Sequence, residues 1–181
     1  LRETSTGEAP WFVVEGDEYD TAFFDKGPKF LHYFPDGLIL TSVEFDHADI
    51  YKDLEAVETS FKRLVNLVPQ RGRIVAFDTG ESVQRCVAKA FCPVERYGKT
   101  QAATWRIENL QFNKNGTSWT VLNNGSQWAD LEFPLAGEYN VWNATAAAAL
   151  AGSYGISPAS IASALSSALA MKPTARMAII V

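Results

Sequence analysis

The chain has 181 residues, of which 47% are hydrophobic and 20% are charged, and its formal net charge is −5. This length and composition predict one globular domain with a sizeable core. An acidic chain without a basic face does not favour nucleic-acid binding, but helix N-termini and metals can still hold small phosphorylated ligands. No apolar run approaches the roughly 18 residues of a membrane span, and the first residues lack a signal-peptide pattern.

The two cysteines, Cys86 and Cys92, are too few for a disulfide framework or a zinc quartet. We therefore predict that they are packing residues in a reducing compartment. The expected location of the protein is the cytoplasm.

The predicted elements of the first hundred residues indicate an α/β fold, with a mostly parallel sheet flanked by helices. Short apolar runs predict strands at residues 11–15, 37–42 and 73–77, and a fourth strand is predicted at 94–98. Apolar residues at three- and four-residue spacing predict a helix at 53–68, with Asp53 as its N-cap, and another at 81–91. Strands that alternate with helices favour parallel pairing.

After residue 100 the pattern changes to that of antiparallel strands. Hydrophobic and polar residues alternate, and Asn115-Gly116 and Asn124-Gly125 are dipeptides typical of hairpin turns. Two further helices are predicted at 140–155 and 157–171. The second half of the chain therefore adds an antiparallel hairpin segment to the α/β sheet.

Two acidic clusters follow predicted strands, at the edge where open parallel sheets bind ligands. The first begins at Glu15, and the second occupies residues 41–49 and contains Asp46 and His47. If the two strands are neighbours, Glu15 and His47 lie side by side and can share a divalent cation. Oxygen ligands with few protein contacts favour Mg²⁺ accompanied by phosphates. The alternative for both clusters is a solvated acidic loop.

A third candidate site is the start of the helix at 140–155. Gly137 precedes this helix, and Asn140 and Asn143 lie in its first turn. Such a helix start can satisfy its own backbone groups, or its amides can contact a nucleotide. The sequence pattern leaves both interpretations open.

Three stretches in chain order, VVEGDEYD, TSVEFDHAD and LAGEYNVWNATAA, resemble motifs of the central domain of the Mur ligases. These are the ATP-dependent amide-bond-forming enzymes of peptidoglycan synthesis, and the resemblance spans essentially the whole chain. The continuations AFFDKGPKF and EFDHADIYKDL resemble the branch that joins UDP-N-acetylmuramate to the recycled tripeptide L-Ala-γ-D-Glu-meso-diaminopimelate. The L-alanine-adding branch is the alternative.

The resemblance implies a P-loop-NTPase-like fold, ATP and Mg²⁺ as cofactors, and a role for each matching residue. Glu15 and His47 are implied as catalytic residues that bind Mg²⁺. The implied nucleotide-binding residues are Asn140, Asn143 and Arg176, and the implied substrate-binding or supporting residues are Asp17, Asp20 and Asp46.

The chain departs from the family pattern at its phosphate-binding loop. Gly98-Lys99-Thr100 reads like the end of such a loop, but positions 93 and 94 are Pro and Val where the motif requires Gly, and strands follow instead of a helix. We interpret it as a chance match and expect the true loop upstream of Leu1. The resemblance then predicts a partial central domain at residues 1–171, and the start of a linker to a C-terminal domain at 172–181. Such a chain is expected to be inactive alone.

Two further departures bear on function. Tyr139 occupies the position of a family histidine, which favours, as an alternative, a non-catalytic nucleotide- or UDP-sugar-binding module derived from the fold. Lys62 lies where some branches carry a carbamylated lysine, but we interpret it as a surface lysine. A stand-alone metal-dependent hydrolase that uses Glu15, Asp46 and His47 is a third possibility.

Overall fold

The structure is a computed structural model that describes residues 12–16, 20–22, 25–45, 50–114, 116–168 and 178–180. The strands in this part of the chain are β1 (Val14–Gly16), β2 (Asp20–Ala22), β3 (Asp25–Pro28), β4 (Gly37–Leu40), β5 (Arg73–Phe77), β6 (Val94–Gly98), β7 (Trp105–Asn113), β8 (Gly116–Asn123), β9 (Ser126–Phe133) and β10 (Ala178–Ile180). The helices are α1 (Leu54–Leu67), α2 (Glu81–Val87), α3 (Glu138–Ser153) and α4 (Pro158–Ser166), with a 3-10 turn at Lys29–His32.

Eight strands form one sheet in the order β1-β10-β4-β5-β6-β7-β8-β9, and β2 and β3 form a separate antiparallel pair. The centre, from β4 to β7, is parallel. Strands β7, β8 and β9 continue it as an antiparallel meander. The parallel centre of the sheet and the antiparallel meander confirm the predicted α/β fold with an antiparallel hairpin segment.

Helix α1 forms where its apolar periodicity and its cap coincide. The Asp53 Oδ1 atom accepts a hydrogen bond of 2.8 Å from the backbone N–H of Ala56, which satisfies one of the free donors of the first turn and confirms the predicted N-cap. Its apolar face packs with α2 and one face of the sheet in a core that includes Phe61, Leu64 and Ile74. The layer formed by α1 and α2 therefore packs against the sheet at the carboxyl ends of β4 and β5.

Helix α3 covers the opposite face of the sheet through small side chains. Its buried alanines pack with residues of the meander, among them Trp105 and Trp119. At Gly152 a β-carbon would lie 2.7 Å from the ring of Trp128, so this position requires glycine for the close approach. Close packing of the alanine run fixes the first turn of α3 at the rim of the sheet.

Both cysteines are buried, in agreement with their predicted packing role. Burial raises the pKa of the Cys86 thiol to about 12. No helix in the described ranges is long and apolar enough to cross a membrane.

Some elements differ from the sequence prediction. The pair β2–β3 was not predicted, because its residues combine charges with glycine and proline and show no strand alternation. Helix α4 ends at Ser166, before the predicted residue 171. Strand β10 lies within the stretch assigned to a linker and pairs antiparallel with both β1 and β4. The division into residues 1–171 and 172–181 stays a prediction.

Candidate active site

A crevice of about 570 Å³ opens at the carboxyl ends of β4 and β5. The loop after β4, the start of α2 and the first turn of α3 close it on three sides. Its lining residues are Thr41, Ser42, Val43, Glu44, Leu54, Phe77, Gly80, Glu81, Ser82, Val83, Arg85, Tyr139, Trp142 and Asn143. Open α/β sheets bind ligands at this edge, so the crevice is the candidate active site.

One wall of the crevice is a continuous row of aromatic rings. Tyr97, only 1% exposed, contacts Phe77 with ring centroids 5.6 Å apart, and Phe77 contacts Trp142 at 4.9 Å. Tyr139 meets Trp142 edge to face at 5.3 Å and is itself 72% exposed. The row of rings therefore extends from the core to the rim of the crevice, where the ring of Tyr139 is exposed to solvent.

The two asparagines of α3 have different surroundings. The Asn140 amide Nδ2 donates a hydrogen bond of 2.8 Å to the carbonyl of Ala136, so this side chain ties down its own helix start. Asn143 lines the crevice. The Asn140 amide N–H is therefore engaged in its own helix start, whereas Asn143 faces the crevice, and nucleotide binding by both stays a prediction.

The wall of the crevice opposite the aromatic row is stabilised by the buried carboxylate of Glu58. One oxygen of Glu58 on α1 lies 2.7 Å from the guanidinium of Arg85 on α2, and its other oxygen lies 3.2 Å from Lys62 Nζ. Hydrogen bonding to the Arg85 guanidinium is the largest of the effects that lower the pKa of the Glu58 carboxyl to about 2. Lys62 is 42% exposed, in agreement with a surface lysine.

The Glu58 carboxylate is expected to make stability depend on acidic pH. Its folded-state pKa lies below the ordinary 4.5, so its contribution is present above that value and is lost as the pH falls toward 2. We expect the free energy of unfolding of the wild type to lose about 1 kcal/mol more than that of Glu58→Gln between pH 6 and pH 3, because solvent screens both partly exposed cations and reduces the effect of the full pKa shift. Urea titrations at each pH measure the difference. Parallel pH profiles for the two proteins would contradict this expectation.

Only parts of the two acidic clusters are described, and residues 41–44 of the second one line the crevice. Glu15 is an exposed residue of β1, and its backbone pairs with Ile179 of β10. Since β10 lies between β1 and β4, the two strands are not direct neighbours, and their axes are about 10 Å apart. The condition that the two strands are direct neighbours is therefore not met. Joint cation binding by Glu15 and His47 stays a prediction, and it requires the loop after β4 to extend toward β1.

The remaining predicted site residues are not placed in full. Asp20 lies in β2, where only its backbone is described. Asp17, Asp46, His47 and Arg176 lie outside the described residues. Within the described residues there is no group of three or more His, Cys, Asp or Glu side chains that could hold a metal.

Gly98-Lys99-Thr100 does not form a phosphate loop, because the next element is strand β7 and not a helix. This confirms the interpretation as a chance match, but the segment has a structural role that the sequence did not indicate. The Thr100 N–H donates a 2.9 Å hydrogen bond to Asp78 Oδ2, and the Lys99 ammonium pairs with Glu138 in the first turn of α3. The loop after β6 thus fixes the α3 side of the crevice.

The fold and the crevice define an α/β domain of the kind that binds ligands at the carboxyl ends of its parallel strands. Residues 7–151 match the Mur ligase middle domain. The chain belongs to this family, whose motifs the sequence resembles.

The similar proteins carry the names of two kinds of Mur ligase. The chain is 40% identical over 143 residues to the Escherichia coli UDP-N-acetylmuramate–L-alanyl-γ-D-glutamyl-meso-2,6-diaminoheptandioate ligase, which covers 79% of this chain and 31% of that protein. It is 32% identical over 145 residues to the UDP-N-acetylmuramate–L-alanine ligase of Desulfitobacterium hafniense, covering 80% of this chain and 30% of that one. The chain thus spans about a third of the length of these relatives.

A solved structure of a ligase for the same tripeptide is also similar to this chain. The UDP-N-acetylmuramate:L-alanyl-γ-D-glutamyl-meso-diaminopimelate ligase from Neisseria meningitides superposes with a TM-score of 0.81 at 38% identity. The match covers 93% of this chain and 51% of that one.

Proposed function

We propose that the chain is the central ATP-binding domain of a ligase that joins UDP-N-acetylmuramate to the tripeptide L-Ala-γ-D-Glu-meso-diaminopimelate. The observation that carries this proposal is the 40% identity to the Escherichia coli enzyme named for that reaction. The solved ligase of the same name, at a TM-score of 0.81, supports it. The proposal assigns residues 1–171 to the central domain and 172–181 to the start of a linker, and it places the activity in the cytoplasm.

A second candidate acceptor is free L-alanine. It is supported by relatives named UDP-N-acetylmuramate–L-alanine ligase, which reach 35% identity in Salinibacter ruber. The lower identity makes this the weaker proposal. Both candidates share one reaction type, in which the muramyl carboxylate is first phosphorylated by ATP and the acyl phosphate is then attacked by an amine.

The residues of this chain suit the positioning that phosphoryl transfer requires. Glu15 offers an exposed carboxylate in β1, and carboxylate oxygen is a ligand that Mg²⁺ accepts together with phosphates. We propose Glu15 and His47 as the residues that hold Mg²⁺, which when bound neutralises phosphate charge. Asn143 and Asn140, with Arg176, are proposed to bind the nucleotide, and Asp17, Asp20 and Asp46 to support metal or substrate.

Phosphate release by the full-length protein, measured with and without UDP-N-acetylmuramate, tests this proposal. With ATP, Mg²⁺, UDP-N-acetylmuramate and an acceptor all present, we expect steady release of phosphate. Omission of UDP-N-acetylmuramate is expected to reduce the rate to background, because the carboxylate is then absent. Release that is indifferent to UDP-N-acetylmuramate would indicate a hydrolase, and binding of ATP without any release would favour the non-catalytic module.

A further inference from the structure

We propose that Arg85 binds an anionic group, a phosphate or a carboxylate, of the ligand that enters the crevice, and that this group displaces Glu81 from the guanidinium. The inference rests on the proposed function, because it takes ATP or UDP-N-acetylmuramate as the ligand. It concerns the wall of the crevice that α2 provides.

The first support is that one edge of the Arg85 guanidinium is held in place. Its Nε atom donates a hydrogen bond of 2.9 Å to Glu58 Oε1, and its Nη2 atom lies 2.7 Å from the same oxygen. The Nη2 atom also donates a hydrogen bond of 2.9 Å to the Ser82 hydroxyl. Because the guanidinium is planar and rigid, contacts that fix Nε and Nη2 also fix the direction of Nη1.

The second support is the weak contact at the other edge of the guanidinium. The Nη1 atom meets Glu81 Oε2 at 3.4 Å, which is longer than the roughly 2.7–2.9 Å of a strong charge-assisted hydrogen bond. The Glu81 side chain is 89% exposed, so it can turn into solvent at little cost. Arg85 and Glu81 both line the crevice. An oxygen of a bound phosphate or carboxylate can therefore replace the Glu81 oxygen at Nη1.

The third support is the charge around the guanidinium. The Glu58 carboxylate is shared between Arg85 and Lys62, so this buried group leaves one of the two positive charges without compensation. Among the described residues that line the crevice, Arg85 is the one with a positive charge, and Glu44 and Glu81 are negative. Since Glu81 competes for Nη1, its removal should strengthen the binding of an anion. An arginine that only joins α1 to α2 would give no such gain.

Equilibrium binding of ATP, adenosine and UDP-N-acetylmuramate to the full-length protein tests the role of Arg85. Glu58→Gln is the reference protein, because Arg85→Met alone would leave a buried carboxylate without its main partner and endanger folding. Relative to this reference, the double variant Glu58→Gln/Arg85→Met should bind ATP or UDP-N-acetylmuramate about tenfold more weakly, since one charge-assisted hydrogen bond is lost. Adenosine carries no phosphate and should bind equally to both proteins.

Glu81→Gln should have the opposite effect. An uncharged amide competes less for Nη1, so this variant is expected to bind the same anionic ligand about threefold more tightly than the wild type does. Glu55→Gln is the matched control, because Glu55 is an exposed residue in the first turn of α1 and is not among the residues that line the crevice. The loss of this more distant charge should change the affinity by about 1.5-fold at most.

The outcomes separate this inference from the proposed function. Weaker binding of ATP by the double variant would identify phosphate as the anionic group, and weaker binding of UDP-N-acetylmuramate would identify that substrate as its source; either result supports the inference. Unchanged binding of both ligands, or an equal loss for adenosine, would overturn the inference alone, as would a gain for Glu81→Gln no larger than that for Glu55→Gln. A wild type that binds neither ligand would overturn the proposed function as well. Thermal unfolding of each variant confirms that it is folded before its affinity is measured.

Discussion

Replacing Gly98 with alanine is expected to lower the free energy of unfolding by about 3 kcal/mol, a combination of backbone strain and overpacking. Gly98 ends β6 with φ +152°, and a β-carbon at this position would overlap the carboxylate of Asp78. That carboxylate cannot easily move away, because its Oδ2 accepts the Thr100 N–H. Urea-induced unfolding of wild type and variant measures the effect.

Gly125 provides the matched control. It also has a positive φ, +82°, but no heavy atom lies within 4 Å of a β-carbon at this position. Gly125→Ala should therefore cost only the backbone strain, about 1 kcal/mol. If Gly98→Ala costs no more than Gly125→Ala, the close contact with Asp78 has no energetic weight and the account of this loop is wrong.

Glu15→Gln is expected to reduce phosphate release by the full-length protein by about 100-fold or more, because the amide oxygen is uncharged and a poor ligand for Mg²⁺. The substitution preserves the size of an exposed side chain on β1, so the fold should be maintained. Initial rates at several Mg²⁺ concentrations provide the measurement. Partial recovery at high Mg²⁺ would agree with a weakened metal site.

Glu132→Gln is the control for the loss of one negative charge. Glu132 is an exposed residue of β9 in the antiparallel meander, far along the sheet from β1, and its substitution should leave the rate unchanged. A rate for Glu15→Gln equal to that of Glu132→Gln would remove Glu15 from the metal site. The acidic stretch after β1 would then be a solvated loop.

The parallel centre of the fold was predictable because its signals are local. Strands β5 and β6 occupy the predicted residues. Strand β5 is a short apolar run between a turn and a helix, and β6 follows the helix α2 in the regular alternation of strands and helices. Helix α1 was predicted to within one residue at each end because its cap and its apolar spacing agree. The two walls of the crevice, which α2 and α3 provide, therefore follow from the order of the elements along the chain.

Other features depend on contacts between distant residues and could not be read from the sequence. The Lys99–Glu138 pair joins residues 39 apart, and Asp78 meets Thr100 across 22 residues. The position of β10 between β1 and β4 is set by pairing between the two ends of the chain, which local periodicity does not encode. The row from Tyr97 to Tyr139 likewise forms only when β5, β6 and α3 are assembled.

Acceptor discrimination by the full-length protein tests the central proposal most directly. The product formed from ATP, Mg²⁺ and UDP-N-acetylmuramate would be identified by mass with equal concentrations of free L-alanine and L-Ala-γ-D-Glu-meso-diaminopimelate present together. We predict that the UDP-N-acetylmuramoyl-tripeptide is the dominant product. Dominant UDP-N-acetylmuramoyl-L-alanine would place the protein with the alanine ligases, and the absence of both products would contradict its assignment as a ligase.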